Sequence, residues 1–426
     1  MKRYSEYKDS GVKWIGEIPG HWEIRRLKNV VLCNAETLSE NFPKDEVIKY
    51  VEISDVNYTS GITNIQRMPF GEAPSRARRI TKKNDVIVST VRTYLKAVAK
   101  IQEDGLIVST GFAVLHPLIG NSSFLSYFAL SESFIHNVIV NSKGISYPAI
   151  TASDLICIAM PLPPLSEQEA IVTYLDSKVD KIDEYISIAE KKIAALEELK
   201  QTIIAEAVTR GIHKDVPMKD SGVKWIGMIP EHWKMNSLRS YVKLYSEKNH
   251  PEKQLLSVTR EMGVIVRNTE SKEENHNFIP DDLSGYKLVR KGDFVINKMK
   301  SWQGSYGVSK YEGIVSPAYY VCKLKFPYND FFSIAIRCKS YVPFFTQYSK
   351  GIRVDQWDLS PIALKNIPFM EPPITEQQEI VTYIEAKAAK IDQLCQAERS
   401  QIEKLKEYKQ RLISDVVTGK VKVTND

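Results

Sequence analysis

Cysteine is scarce: Cys33, Cys157, Cys322, Cys338 and Cys395 are the whole set, and no two of them form a Cys-x-x-Cys pair. An odd, scattered set excludes a disulfide framework and the common zinc sites, so reduced thiols and a cytoplasmic location are expected. No apolar run approaches the roughly 20 residues needed to cross a bilayer, and the first 20 residues mix charge with apolar side chains where a signal peptide would carry an apolar core. No GxxxxGK[ST] phosphate loop, GxGxxG turn, HExxH helix or GxSxG elbow occurs, so common nucleotide binding and the usual hydrolase chemistry lack support. The seven histidines are dispersed. His21 and His232, in PGHW and PEHW, are expected to pack structurally beside Trp22 and Trp233.

What is present is ordinary globular protein. The chain has 426 residues, 43% hydrophobic and 26% charged, which exceeds one domain and suffices for buried cores. Its formal charge of +6 allows an anionic partner without demanding one.

The chain is one unit written twice. Lys8 to Glu23 (KDSGVKWIGEIPGHWE) recurs as Lys219 to Lys234 (KDSGVKWIGMIPEHWK) with 13 of 16 positions identical. Pro163 to Asp183 and Pro372 to Asp392 match at 12 of 21. A period near 210 residues is far longer than a solenoid or propeller repeat and implies duplication of a whole domain with its connector. The interiors, Ile24 to Leu162 and Met235 to Glu371, resemble each other only faintly, best at Asn84 to Ser89 against Gly292 to Asn297. Short apolar or alternating runs at Val47 to Val51, Val86 to Val88, Phe112 to Leu115, Phe294 to Ile296 and Tyr319 to Leu324 read as strands. Like ends with unlike middles suggest a common frame presenting two binding surfaces, although loops also drift after duplication.

The connectors read as helices. Ser166-Glu167-Gln168-Glu169 and Thr375-Glu376-Gln377-Gln378 follow Pro-Pro as capping boxes, and Gly211 and Gly419 supply stops. Each helix would be about 65 Å long at roughly 1.5 Å per residue. From Leu175 to Ala207 the apolar positions step by four and three, a coiled-coil seam interrupted by Lys200; from Ile384 to Val416 the exceptions are Glu398 and Lys409. A seam lysine either fixes register or snorkels its long stem out to water, and snorkelling is favoured. Chain order then predicts an antiparallel pair, since the second helix must run back from where the first delivers the chain.

The interiors carry cations interleaved with aromatic and amide side chains. Arg76, Arg78, Arg79, Lys82 and Lys83 precede the Val86 strand; Arg92, Tyr94 and Lys96 follow it. The second half answers with Lys298, Lys300, Trp302, Gln303 and Tyr306. Each half also has a Ser-Lys-Gly loop, with Lys143 and Tyr147 in the first and Lys350, Arg353 and Gln356 in the second. Lys and Arg hold phosphates, Arg reads guanine and Gln reads adenine, so these are candidate DNA contacts. Singly they are solvated surface charges; their recurrence at equivalent places supports binding.

The KDSGVKWIGEIPGHW opening, two variable interiors and two PPLSEQExIVxYLDxKxxKID-type connectors together resemble the specificity subunit of bacterial type I restriction-modification systems, over essentially the whole chain. The resemblance implies an α+β chain with two α/β-to-mostly-β target recognition domains (1–162 and 215–371), separated by a long antiparallel two-helix coiled coil (163–214 and 372–426), in a pseudo-two-fold internal repeat. It implies a non-catalytic subunit that binds no cofactor itself. Double-stranded DNA, two modification subunits that use S-adenosylmethionine to methylate adenine, and restriction subunits that use ATP and Mg would be its partners. The competing expectation is a cytoplasmic coiled-coil scaffold holding two protein partners without reading DNA.

Overall fold

The structure, a computed structural model, describes residues 3–144, 147–268, 279–351 and 357–423. It divides into two units: Met1–Glu190 with Arg399–Asp426, and Lys191–Glu398. Each unit joins a globular part to half of each long helix.

In the first unit the run Val86–Ser89 is buried along its whole length between Val98–Lys100 and Phe112–Pro117, as an unbroken apolar strand must be, and Val31–Cys33 completes this four-stranded sheet. A second sheet has the order Gln66–Pro69, Val47–Val51, Leu106–Ser109, Ala77–Ile80; its pairing of Leu106–Ser109 with Val47–Val51 is parallel. In the second unit Phe294–Asn297 lies between Tyr319–Leu324 and Tyr306–Val308, with Val242–Tyr245 at the far edge. The two four-stranded sheets thus have the same strand order, which the faint Asn84-to-Ser89 similarity foreshadowed. Their buried aspartates also match: Asp85 accepts from the Lys82 amide at 2.8 Å and Asp293 from the Arg290 amide at 2.7 Å.

The similar ends of the two halves meet in space. Glu23–Arg26 pairs with Ala159–Leu162, and Lys234–Ser237 with Pro368–Glu371, so each globular part opens and closes at one antiparallel clasp. Beside the clasp the start of a long helix receives the preceding hairpin. Glu167 accepts from His21 Nε2 at 2.8 Å, from Trp22 Nε1 at 3.0 Å and from the Tyr4 hydroxyl. Glu376 accepts from His232 Nε2 at 2.7 Å and from Trp233 Nε1 at 3.0 Å. Both tryptophans are fully buried, and burying an indole N–H requires such an acceptor. The end of a helix closes the same junction: Gly419, at φ +77°, lies against Pro19 and Trp22, and Gly211, at φ +75°, against Pro230 and Trp233. The repeated 16- and 21-residue segments supply the hairpin and the helix start of this junction.

The long helices span Leu165–Arg210 and Ile374–Val417, each starting one residue before its expected cap. In the second unit Lys192 pairs with Glu398 and Lys200 with Asp392, contacts that advance along one helix and retreat along the other, hence antiparallel. Lys409 corrects the snorkelling expectation. Lys409 Nζ donates to both Asp183 oxygens at 2.8 and 2.7 Å with its side chain only 8% exposed; Lys200 does the same to Asp392 at 2.8 and 2.7 Å. Lys409 stays in the seam because an aspartate on the facing helix meets its ammonium there. The two pairs are repeat equivalents, each lysine bonding the aspartate of the other repeat, and so mark one register.

Among the described residues all five cysteines are free, and no helix is long and apolar enough to cross a membrane.

Candidate nucleic-acid interface

The loop after the Val86–Ser89 strand is a single tight turn. Arg92 and Lys96, at φ +50° and +53°, bracket the 3-10 turn Thr93–Leu95. Left-handed backbone costs roughly 1 to 2 kcal/mol per non-glycine residue, so surrounding contacts must hold it. Several are visible. The Ser89 amide donates to Ala97 O at 2.9 Å, and the Thr93 and Ser142 hydroxyls bond at 2.8 Å. Val91 and Lys143 both form bridges to Ala149. The Arg92 guanidinium lies 5.0 Å from the Tyr147 ring and the Lys96 ammonium 5.4 Å from the Tyr58 ring. The post-strand loop and the Ser-Lys-Gly loop, some 50 residues apart in the chain, are therefore one surface.

The second unit assembles the same pair. Its post-strand turn Ser301–Gln303 meets the second Ser-Lys-Gly segment through Ser301 Oγ and Ser349 Oγ at 3.3 Å. The Leu359 amide donates to Lys298 O at 3.1 Å, and Lys298 Nζ reaches Asp358 at 3.1 Å. The Trp302 and Trp357 rings meet at 5.2 Å between centroids, tilted by 52°. Gly304 takes the left-handed conformation, φ +96°, at the place of Lys96. One scaffold thus presents a cation over tyrosine in one unit and an indole pair in the other.

The remaining candidates are dispersed. Arg76 is exposed but held by Glu52 at 2.7 Å, and its carbonyl accepts from the Thr110 amide, next to Gly111, which abuts Val91. That places Arg76 beside the loop pair. Burial and the Glu52 carboxylate push the Tyr50 hydroxyl up to about 12, whereas Glu52 itself sits below the usual carboxylate range: burial raises it, but the Tyr50 hydroxyl, the Ile53 amide and Arg76 together outweigh that. The Arg76–Glu52–Tyr50 network is an ion pair beside a neutral phenol. Arg78 lies over the Phe70 ring at 5.0 Å and Arg79 donates to Thr37 Oγ1 at 3.3 Å; both are half-buried on the Ala77–Ile80 strand. Tyr94 is half exposed, Tyr147 more so, and Lys143, Lys300 and Lys350 are exposed; Trp302 and Gln303 are partly covered.

Tyr306 is a correction. It is fully buried, stacked at 3.8 Å on Phe345 and edge-on to Phe294, so it belongs to the core and offers nothing to a ligand. It opens the edge strand Tyr306–Val308, just past the loop, and faces the core from there. Arg353 and Gln356 lie outside the described residues. Sequence reasoning also missed Tyr58, Thr93, Ser142, Ser301 and Ser349. Tyr58 has no signal, being 38 residues from Lys96. The hydroxyl pairs had one: Thr93 to Ser142 and Ser301 to Ser349 are nearly equal spacings in the two halves.

Comparison with known proteins agrees with this architecture. The family described as the type I restriction modification DNA specificity domain matches residues 19–198. A Methanocaldococcus jannaschii chain that carries a provisional assignment as the type I restriction enzyme MjaX specificity subunit is 24% identical, covering 98% of each chain. The MjaVIII specificity subunit of the same organism is 24% identical over 70% of this chain and 69% of its own. The Escherichia coli EcoDI specificity subunit is 20% identical over 72% of each. Among solved structures, a chain of a type I R-M system superposes with a TM-score of 0.69 at 22% identity, covering 94% of this chain and 98% of its own. The HsdS subunit from Thermoanaerobacter tengcongensis gives 0.50 at 22% over 95% and 98%. The chain therefore carries a type I restriction modification DNA specificity domain over residues 19–198 and is similar over nearly its whole length to a type I restriction enzyme specificity subunit.

Proposed function

We propose that this chain is the sequence-specific DNA-reading subunit of a type I restriction-modification complex. In this reading the globular parts 1–162 and 215–371 each read one half of an asymmetric bipartite site. The helical regions 163–214 and 372–426 set the spacer between the halves. The observation that carries it is the loop pair built on one plan in both units but furnished differently: Arg92 over Tyr147 in one, Trp302 against Trp357 in the other. A shared scaffold with divergent side chains is what two different half-sites require. Phosphate contacts from Lys96, Lys143, Lys300 and Lys350 would hold register, and few groups would read bases.

Docking of two modification subunits, and through them of restriction subunits, falls to the helices. Each unit presents an exposed aromatic and aliphatic stripe beside the seam: Tyr185, Ile188 and Tyr408 in the first, Leu199, Tyr383 and Leu394 in the second. Tyr174 with Lys178, and Tyr383 with Lys387, repeat one cation–aromatic contact at 5.7 and 5.6 Å. Two equivalent stripes suit two copies of one partner. S-adenosylmethionine, ATP and Mg belong to those partners in this reading, and the chain itself performs no chemistry.

The test uses duplex binding by the chain assembled with its modification subunits, at two salt concentrations, followed by mapping of methylated adenines. Affinity falling steeply with salt, with methylation confined to one bipartite sequence, is expected. Salt-independent or absent binding, with no sequence dependence of methylation, would return the chain to the scaffold reading.

A further inference from the structure

The apex of the first unit's loop pair is apolar, although cations surround it. Tyr94 and Leu95 are 50% and 45% exposed, with Val91 exposed below them. They occupy the middle and end of the turn that Arg92 and Lys96 bracket. Each cation lies over a ring of another segment, Arg92 over Tyr147 and Lys96 over Tyr58. The turn cannot easily fold its apolar groups inward, because the Thr93–Ser142 bond and two left-handed residues hold it. In the second unit the equivalent loop exposes Met299 next to the Trp302–Trp357 pair.

Adjacent exposed apolar side chains gain nothing from phosphates or from the polar edges of base pairs. They gain from contact with base faces, which requires a base step to open, or from thymine methyls. A held turn with two exposed apolar side chains between flanking cations suits the first: the cations take the phosphates on either side while the apolar pair enters between bases. A methyl reader would need a single apolar group among donors aimed at neighbouring base edges. Here two apolar side chains stand together, and Tyr94 carries the one polar atom.

We propose that Tyr94 and Leu95 form a wedge that partly unstacks one base step in the half-site read by the first unit, so that recognition there depends on the deformability of that step as well as on hydrogen bonds. Met299, the exposed apolar side chain of the equivalent loop, does the corresponding work for the second unit. This rests on the DNA-reading function above. It predicts a preference for a pyrimidine–purine step at the wedged position, since these steps unstack most readily.

The experiment places 2-aminopurine singly along the first half-site of the mapped sequence, away from the methylated adenine. Fluorescence and anisotropy are read together on adding the chain assembled with its modification subunits. Wild type should bind and brighten the probe at one step, and Leu95→Ala and Tyr94→Ala should each lose that local rise while keeping salt-dependent binding. A parallel duplex with deoxyuridine in place of thymidine should bind as tightly as the parent. Binding without a local rise, or a rise unchanged in both variants, overturns the wedge and leaves DNA reading intact. Weakened binding to the deoxyuridine duplex with flat fluorescence overturns it in favour of methyl readout. No binding to any duplex overturns the DNA-reading function and the wedge with it. Both substitutions are at exposed positions, and retained anisotropy shows that each variant is folded.

Discussion

Asp183→Ala takes the carboxylate from a lysine that has little water to replace it. The Lys409 side chain is 8% exposed and bonds both Asp183 oxygens, whereas the repeat-equivalent Lys200 is 27% exposed against an Asp392 that is 62% exposed. Stranding a fully buried charge costs about 3 to 5 kcal/mol. Asp183 is itself 45% exposed, and solvent near the pair screens the loss, so about 2 kcal/mol is expected. Asp392→Ala, with water at both groups, should cost about 0.5 kcal/mol. Lys409→Met removes the desolvation penalty together with the attraction and should change stability by less than about 1 kcal/mol in either direction. The ranking is therefore Asp183→Ala well above Asp392→Ala, with Lys409→Met small and Lys409→Met rescuing Asp183→Ala. Urea unfolding followed by the helical far-ultraviolet signal measures it, with the slope compared among variants because a two-unit chain need not unfold in two states. Raising salt should shrink the Asp392 effect more than the Asp183 effect. Equal costs for the two aspartates, or Lys409→Met costing as much as Asp183→Ala, would refute the argument that burial of the lysine decides the energy. If the pairs also hold register, Lys200→Met with Lys409→Met should keep stability but blur the methylated spacing.

Other consequences are as direct. Inserting one heptad near Leu196 and one near Leu405 adds about 10.5 Å to each helix at 1.5 Å per residue; the spacer should lengthen by about 3 base pairs at 3.4 Å each, with both half-sites kept, and an unchanged spacer in the mapped methylation would defeat the ruler. Gly419→Ala should lower the melting temperature more than Gly211→Ala: a Cβ at 419 would stand 2.3 Å from the Pro19 ring, whereas at 211 the nearest atom, a Glu376 carboxylate oxygen, stands at 2.9 Å. Arg92→Ala should cost about 1 to 3 kcal/mol and relax preference at one base if it pairs with a guanine, while Lys96→Ala should weaken all sequences alike and lower the salt slope by about one; two variants that match wild type on cognate and single-base-changed duplexes would remove this loop from the reading surface. A thiol reagent at pH 8 should label Cys157, which is exposed, well before Cys322, whose thiol burial pushes up to about 12; fast labelling of Cys322 would contradict that core.

Local chemistry and periodicity determined much of this protein before any coordinates. The two long helices follow from a four-three apolar rhythm that needs only the helix's own repeat to be recognised, and their bounds fell within one residue. The central strands Val86–Ser89 and Phe294–Asn297 announced themselves as unbroken apolar runs between turns. The duplication was legible because the hairpin, helix start and helix end of each unit meet at one junction, where His21, Trp22 and Glu167, or His232, Trp233 and Glu376, tolerate little change. Tertiary structure alone decided what long-range contact decides. Lys409 looked like a snorkelling residue until Asp183, 226 residues away, was found opposite it. Tyr306 looked like a loop aromatic until Phe345 covered its face. Arg92 and Lys96 were plausible phosphate ligands in isolation, but only folding set Tyr147 and Tyr58 beneath them and left Tyr94 and Leu95 at the tip. A pattern along the chain reports which face of an element is apolar; which partner covers that face, and which charge finds its counter-charge, depends on loops whose closure no local pattern encodes.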